Sequence, residues 1–216
     1  ANATKKDFRF FDVRRSNMIW DNVSGIYDFT ETVYNGKVYR RLGETVAAQI
    51  KQDDLVLECA CGTGAISKYI APRCRHLTAT DFSTGMLRQT AKNCQKYDNV
   101  TIRRADLTQL KCRDNKYDKV VAGNVLHLLD KPVAAVKELE RVCKTGGKII
   151  IPTYIHGSSG VNRLAVRVFE LAGVRFRRQF ELASYQKFFE DAGYKQVAYT
   201  VINGRMPCAV AVITKP

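Results

Sequence analysis

Short apolar runs alternate with amphipathic stretches through the middle of this chain. Leu55-Val56-Leu57, Leu77-Thr78-Ala79, Val120-Val121-Ala122 and Ile149-Ile150-Ile151 are four such runs, each bounded by polar or glycine-containing segments. Runs of this length read as strands buried on both faces. They predict strands over about 54–59, 76–81, 99–104, 117–122 and 146–154. Between them, apolar positions recur at helical spacing and predict helices over about 64–72, 84–96 and 131–143. Asp130-Lys131-Pro132 opens the last of these, with proline where its missing N–H costs nothing. Thr145-Gly146-Gly147 is expected to close it as a glycine C-cap. Strand and helix in alternation argue for a parallel sheet with helices on both faces.

Ahead of this core, residues 16–50 read as helical, with Val38, Leu42, Val46 and Ile50 close to one stripe. Behind it, Ser158-Ser159 is placed to cap a helix running to about Ala172, with Gly173 as its stop. Ser184 to Phe189 gives another helix, stopped at Gly193. Two last strands follow, over about 195–201 and 207–214, parted by Asn203-Gly204, a hairpin signal. The expected fold class is α/β: a Rossmann-like, doubly wound, seven-stranded sheet, mostly parallel, with a C-terminal antiparallel hairpin. No internal repeat or low-complexity tract interrupts it.

Composition narrows the picture further. The chain has 216 residues, 45% hydrophobic and 26% charged, which fits one globular domain with a full core. No apolar run approaches the ~18 residues of a membrane span. Ala1 to Arg15 is polar and charged, without the apolar stretch of a signal peptide. The seven cysteines are an odd number with no C-x-x-C pair. They are expected to be small buried residues in a reducing cytoplasm, with no metal site. A net charge of +14 raises a nucleic-acid hypothesis. The excess is spread along the whole chain, with no Lys/Arg run longer than two, so a solvated basic surface is the expectation.

The candidate chemistry sits at Glu58-Cys59-Ala60-Cys61-Gly62-Thr63-Gly64. Here the first strand runs into an acid and a glycine turn, and a helix is expected at once. Gly62 and Gly64 allow a tight turn and a close backbone approach by a ligand. The helix start would present free N–H groups. About 20 residues on, the second strand ends in Asp81, the spacing at which an acid meets ribose hydroxyls in a doubly wound sheet. A third glycine is missing for the dinucleotide fingerprint, and Ala65-Ile66 stands where a P-loop needs Lys-Ser/Thr. What remains, E-x-A-x-G-x-G, resembles motif I of the class I S-adenosylmethionine-dependent methyltransferases, with Ala60 where a first glycine often stands.

Later segments carry the resemblance on from roughly Asp21 to the end. Thr80-Asp81-Phe82-Ser83-Thr84-Gly85-Met86-Leu87 resembles the family's second motif. The resemblance implies that Asp81 takes the ribose hydroxyls, with Phe82 and Met86 near the adenine. Arg104-Ala105-Asp106-Leu107 resembles the third, implying that Asp106 and the Leu107 backbone meet the adenine edge. Tyr117 to Asp130 resembles the fourth and places Asn124 beside the methionine part of the cofactor. Glu58, Cys59, Ala60, Gly62 and Gly64 form the cofactor turn. Trp20 to Asp28 resembles the family's Y-D segment, where Tyr27 covers the cofactor as part of a lid. The expected division is an N-terminal helical lid over 1–50 and a methyltransferase domain over 51–216. The implied cofactor is S-adenosyl-L-methionine, with S-adenosyl-L-homocysteine as product.

His127 is the candidate general base, since an unperturbed imidazole titrates near neutral pH. The alternative is a histidine packed beside the cofactor. No N-P-P-Y or D-P-P-Y follows the fourth strand, which sets aside amino-group methylation of nucleic-acid bases. Pro207-Cys208 has the residue pair of cytosine-C5 methylation but lies far from that motif's place. The overall pattern is closest to small-molecule methyltransferases, and is similar to those of ubiquinone and menaquinone biosynthesis. Tyr34, Tyr154, His156, Arg178 and Arg205 are candidates for the acceptor side. Arginines amid aromatics between residues 154 and 180 suit an anionic, flat or quinol-like acceptor, or a peripheral membrane contact; a solvated helix face is the bland alternative. The expected partner is thus a small-molecule acceptor and not nucleic acid, and the chain is expected to be a monomer or homodimer. An RNA or protein methyltransferase, or a cofactor-binding protein without transfer activity, are the other readings.

Overall fold

The computed structural model describes residues 36–155 and 177–216. Helix α1 covers residues 36–47. After it come β1 (Leu55–Cys59), α2 (Ser67–Ile70), β2 (His76–Asp81), α3 (Thr84–Cys94), β3 (Val100–Arg104), β4 (Tyr117–Ala122), α4 (Pro132–Val142) and β5 (Cys143–Tyr154). Helix α5 (Leu182–Asp191), β6 (Val197–Ile202) and β7 (Cys208–Thr214) complete the order. The seven strands form one sheet in the order β3-β2-β1-β4-β5-β7-β6. The first five are parallel, and β7 runs antiparallel to both β5 and β6.

The central strands are apolar on both sides because both faces are covered. Leu57, Cys59, Val120, Ala122, Ile149 and Ile151 point to one core, with Ala135, Val136, Leu139 and Val142 of α4 packed on them. Tyr185, Phe188 and Phe189 of α5 extend that core through edge-to-face contacts with Phe180 and Tyr194. The Tyr185 hydroxyl is buried and donates to the Ile151 carbonyl at 2.7 Å, tying α5 to β5. The alternate positions Val56, Leu77, Ala79, Val121, Ile150 and Val210 face the second core. Val38, Leu42 and Val46 of α1 and Ile66 and Ile70 around α2 close it.

Two element boundaries differ from expectation. Helix α4 stops at Val142, and Cys143 is already extended at φ −74° and ψ 141°. The expected glycine C-cap is instead part of β5. Gly146 N–H donates to the Lys215 carbonyl, and Lys215 N–H to that of Gly147, so the chain's last strand claims this segment. A Cβ on Gly147 would lie 2.8 Å from the Asp118 carbonyl, so only glycine permits the close approach of β4 and β5. The register slips there, with Tyr117 opposite Cys143 but Lys119 opposite Lys148.

Helix α2 is the other difference. It has four residues, preceded by turns and followed by a 3-10 turn over Ala71–Arg73. Pro72 lacks the N–H an extension would need. The expected long helix opening on free N–H groups is therefore a wound turn with a short helical tail. The hairpin between β6 and β7 is also wider than Asn203-Gly204 alone. Ile202 pairs with Cys208, leaving 203–207 as the connection.

Candidate active site

Strand order reverses between β1 and β4: β2 and β3 lie on one side, β5, β7 and β6 on the other. Ligands of doubly wound sheets bind at the carboxyl ends of the strands flanking such a reversal. Five of the sequence-predicted residues sit there. Glu58 and Cys59 end β1, Asp81 ends β2, Asn124 follows β4 and Tyr154 ends β5.

The turn after β1 passes through left-handed backbone at Ala60 (φ 52°), Gly62 (φ 57°) and Gly64 (φ 83°). Three hydrogen bonds fix it from neighbouring elements. Gly62 N–H donates to Asp81 Oδ2 at 2.9 Å, Cys61 N–H to the Thr80 carbonyl at 2.9 Å, and the Thr90 hydroxyl to the Gly62 carbonyl at 2.7 Å. Gly64 lies against α3, where a Cβ would come within 3.2 Å of the Thr90 backbone. A Cβ at Gly62 would meet nothing within 4 Å, so the turn presents an open backbone cradle.

Asp81 is buried, and its second oxygen accepts from Ser83 N–H at 2.9 Å. The carboxylate thus links the glycine turn to the start of α3, where the Ser83 hydroxyl caps the helix by accepting from Met86 N–H. A carboxylate offers about four acceptor sites, the chemistry that suits it to ribose hydroxyls. Phe82 is half-buried beside it, and Met86 is buried. Asp106 is exposed and forms a local turn, its Oδ1 accepting from the Thr108 N–H and hydroxyl. Leu107 is buried next to it.

Glu58 lies wholly inside the protein and accepts a hydrogen bond from the Ser67 hydroxyl, which pins α2 to the end of β1. Burial pushes its carboxyl up from 4.5 to about 8; the Ser67 bond opposes this and nearby Asp81 adds to it. The group is therefore mostly protonated at pH 7 in the ligand-free protein. Burial also raises the Cys59 thiol far above its ordinary range. Cys208, of the Pro207-Cys208 pair, is fully buried in β7 and raised to about 12, which leaves it no nucleophilic thiolate at neutral pH.

His127 sits in a 3-10 turn (Leu126–Leu128) after β4, 6% exposed, with Nδ1 3.4 Å from the Thr153 hydroxyl. Burial lowers its pKa from 6.5 to about 4, so the imidazole is neutral at physiological pH. Its carbonyl accepts from the N–H groups of Arg177 and Arg178, which brings Arg178 to this end of the sheet with its side chain exposed. Arg205 is exposed in the 203–207 connection, whose Pro207 carbonyl accepts from Ile155 N–H just beyond β5. Tyr27, Tyr34 and His156 lie outside the described residues, as does most of the arginine-rich segment before Arg177.

Sequence reasoning did not single out Tyr39. Its hydroxyl is bonded to that of Tyr154, and their rings meet edge to face at 6.2 Å. The Asn124 amide donates to the Tyr39 hydroxyl at 3.5 Å. The available signal was its place beside Val38 on the buried stripe of α1. Ser67, Thr90 and Thr153 were also missed, since isolated hydroxyls in helices and strands carry no pattern.

The site fits a nucleoside cofactor on three observations. The Gly62 cradle is open, and the Asp81 carboxylate is bonded directly to it. Thr63 Oγ1, within the turn, is buried without a hydrogen-bond partner, which marks a polar position for the cofactor to satisfy; Asn124 Oδ1 at the end of β4 is a second buried oxygen without a partner.

Residues 57–151 match a family model described as a methyltransferase domain. The chain is 35% identical over 136 residues to a demethylmenaquinone methyltransferase of Clavibacter sepedonicus, a match covering 62% of this chain and 55% of that protein. With the demethylmenaquinone methyltransferase of Renibacterium salmoninarum it shares 27% identity over 207 residues, 86% of each chain. Among solved structures, DhpI in complex with S-adenosylhomocysteine superposes with a TM-score of 0.72 at 18% identity, covering 94% of this chain and 97% of that one. The magnesium protoporphyrin IX methyltransferase of Synechocystis, solved with S-adenosylhomocysteine, gives 0.58 at 19% identity, covering all of this chain and 89% of that one. Residues 57–151 are thus similar to methyltransferase domains, and the fold is that of the solved methyltransferase and S-adenosylhomocysteine-bound proteins named above. In sequence the chain is similar to the demethylmenaquinone methyltransferases of those two bacteria.

Proposed function

We propose that this protein is an S-adenosylmethionine-dependent methyltransferase that acts on a hydroxylated aromatic small molecule of quinol type, methylating a ring carbon. The similarity over 86% of the chain to an enzyme named for demethylmenaquinone carries this reading. The cysteine pattern favours action in the cytoplasm; among the described residues no helix is long and apolar enough to cross a membrane.

The cofactor, when bound, supplies a methyl group already activated on a sulfonium. The protein's part is to hold and align. Gly62 and Gly64 give the backbone room, Asp81 holds the turn and takes the ribose hydroxyls, and Asp106 with Leu107 meets the adenine edge. Glu58 braces the turn through Ser67, and a cationic ligand beside it favours its ionised form. His127, neutral and held near Thr153, acts through hydrogen bonding and shape rather than as a strong proton acceptor. The low-lying imidazole pKa supports that role. Residues 1–50 are read as the lid, with Tyr27, outside the described residues, as its cofactor contact, and Arg178 and Arg205 are read as acceptor-side residues.

Calorimetric titration with S-adenosylmethionine and S-adenosylhomocysteine tests the cofactor assignment, with NAD and ATP as controls. Mass analysis after incubation with a demethylated naphthoquinol tests the acceptor. Binding of the two sulfur nucleosides alone, and gain of one carbon-bound methyl, is the expected result. Transfer to RNA or protein but not to the quinol would overturn the acceptor assignment.

A further inference from the structure

Asn124 follows Gly123 at the end of β4, in left-handed backbone at φ 52°. That conformation suits asparagine better than most residues. Its amide nitrogen points to the Tyr39 hydroxyl, while its Oδ1 is sealed from water and unpartnered. Tyr39 in turn is bonded to Tyr154 at the end of β5. One hydrogen-bonded chain thus joins β4, α1 and β5 at the carboxyl ends of β4 and β5 and ends in an orphaned acceptor atom.

We propose that Asn124, Tyr39 and Tyr154 form a positioning clamp for a ring hydroxyl of the acceptor. Asn124 Oδ1 accepts a hydrogen bond from that hydroxyl, and the two phenols hold the amide in the orientation that presents this oxygen. The clamp requires a donor on the ligand. An acceptor whose oxygens are alkylated or carbonylic leaves Oδ1 unpaired, and a site built around a hydrogen bond rejects such analogues strongly. Tyr39 then acts through Asn124 as a positioning residue, and it makes the N-terminal helix part of substrate selection. This inference rests on the hydroxylated-acceptor reading, but its test does not need turnover.

The test uses the full chain saturated with S-adenosylhomocysteine. Menadiol, kept reduced under argon, and its dimethyl ether are titrated as probes by calorimetry. Wild type is expected to bind the diol at least about tenfold more tightly than the ether. Tyr39→Phe and Tyr154→Phe should each shrink that ratio to about threefold or less. The double variant should do no more than either alone, because the three residues act as one chain. Affinity for S-adenosylhomocysteine should stay within about threefold in all variants. Equal binding of diol and ether by wild type overturns the clamp. So does a ratio unchanged in both folded single variants, or a loss in Tyr39→Phe confined to S-adenosylhomocysteine affinity. Discrimination retained without methyl transfer to any quinol would refute the reaction assignment while leaving the clamp in place.

Discussion

Replacing Glu58 with glutamine should flatten the pH dependence of stability above pH 6.5. The folded carboxyl is held near 8 against 4.5 for the free side chain, chiefly by burial. Its raised pKa means that the native state binds a proton more tightly than the unfolded chain does. The folded state therefore loses stability as pH rises from about 4.5 through 8. His127 works in the opposite sense. Its pKa is depressed to about 4, so its stabilising contribution is complete above 6.5 and is lost as pH falls toward 4. Between 4.5 and 6.5 the two slopes cancel; from 6.5 to 8 only Glu58 acts. Over that 1.5-unit window, at about 1.4 kcal/mol per unit, the expected loss is about 2 kcal/mol. Urea unfolding followed by circular dichroism at pH 6.5, 7.0, 7.5 and 8.0 measures it. Glutamine keeps the shape and a hydrogen bond to Ser67 but cannot ionise, so its curve should be level within about 0.5 kcal/mol. Parallel slopes for wild type and variant would refute the account of a protonated buried carboxyl.

Three further outcomes follow from the same geometry. Asp81→Asn should cut cofactor affinity at least about 100-fold in calorimetry, because a neutral amide cannot accept from both Gly62 and Ser83 and also from ribose; affinity within a few-fold of wild type would remove the assignment. His127→Gln should lower kcat by less than about tenfold, and the wild-type pH profile should show no limb near 6.5, since burial keeps the imidazole neutral down to about 4. A limb at 6.5 that disappears in the variant would restore the general-base role. Tyr185→Phe should destabilise the protein by about 1–2 kcal/mol in urea, because it leaves the buried Ile151 carbonyl without its donor; an unchanged midpoint would show that the bond contributes nothing net.

Much of the molecule was determined by the sequence alone. Four apolar runs separated by amphipathic stretches specified a doubly wound sheet, because a strand covered on both faces must be apolar throughout. The glycine turn was legible because left-handed backbone demands particular residue types, and the place of Asp81 at the end of β2 beside it followed from strand spacing. Helix ends were less legible. Gly146-Gly147 has the composition of a C-cap, yet Lys215, 68 residues on from Gly147, takes those backbone groups into the sheet. Only the tertiary structure decided the charge states of Glu58 and His127. Both depend on how completely the surrounding chain excludes water, which no local pattern encodes. The same holds for the Asn124–Tyr39–Tyr154 chain, whose members are brought together by the packing of α1 across the carboxyl ends of β4 and β5. Local spacing records what one segment needs of itself, whereas proximity between distant segments exists only once the core has formed.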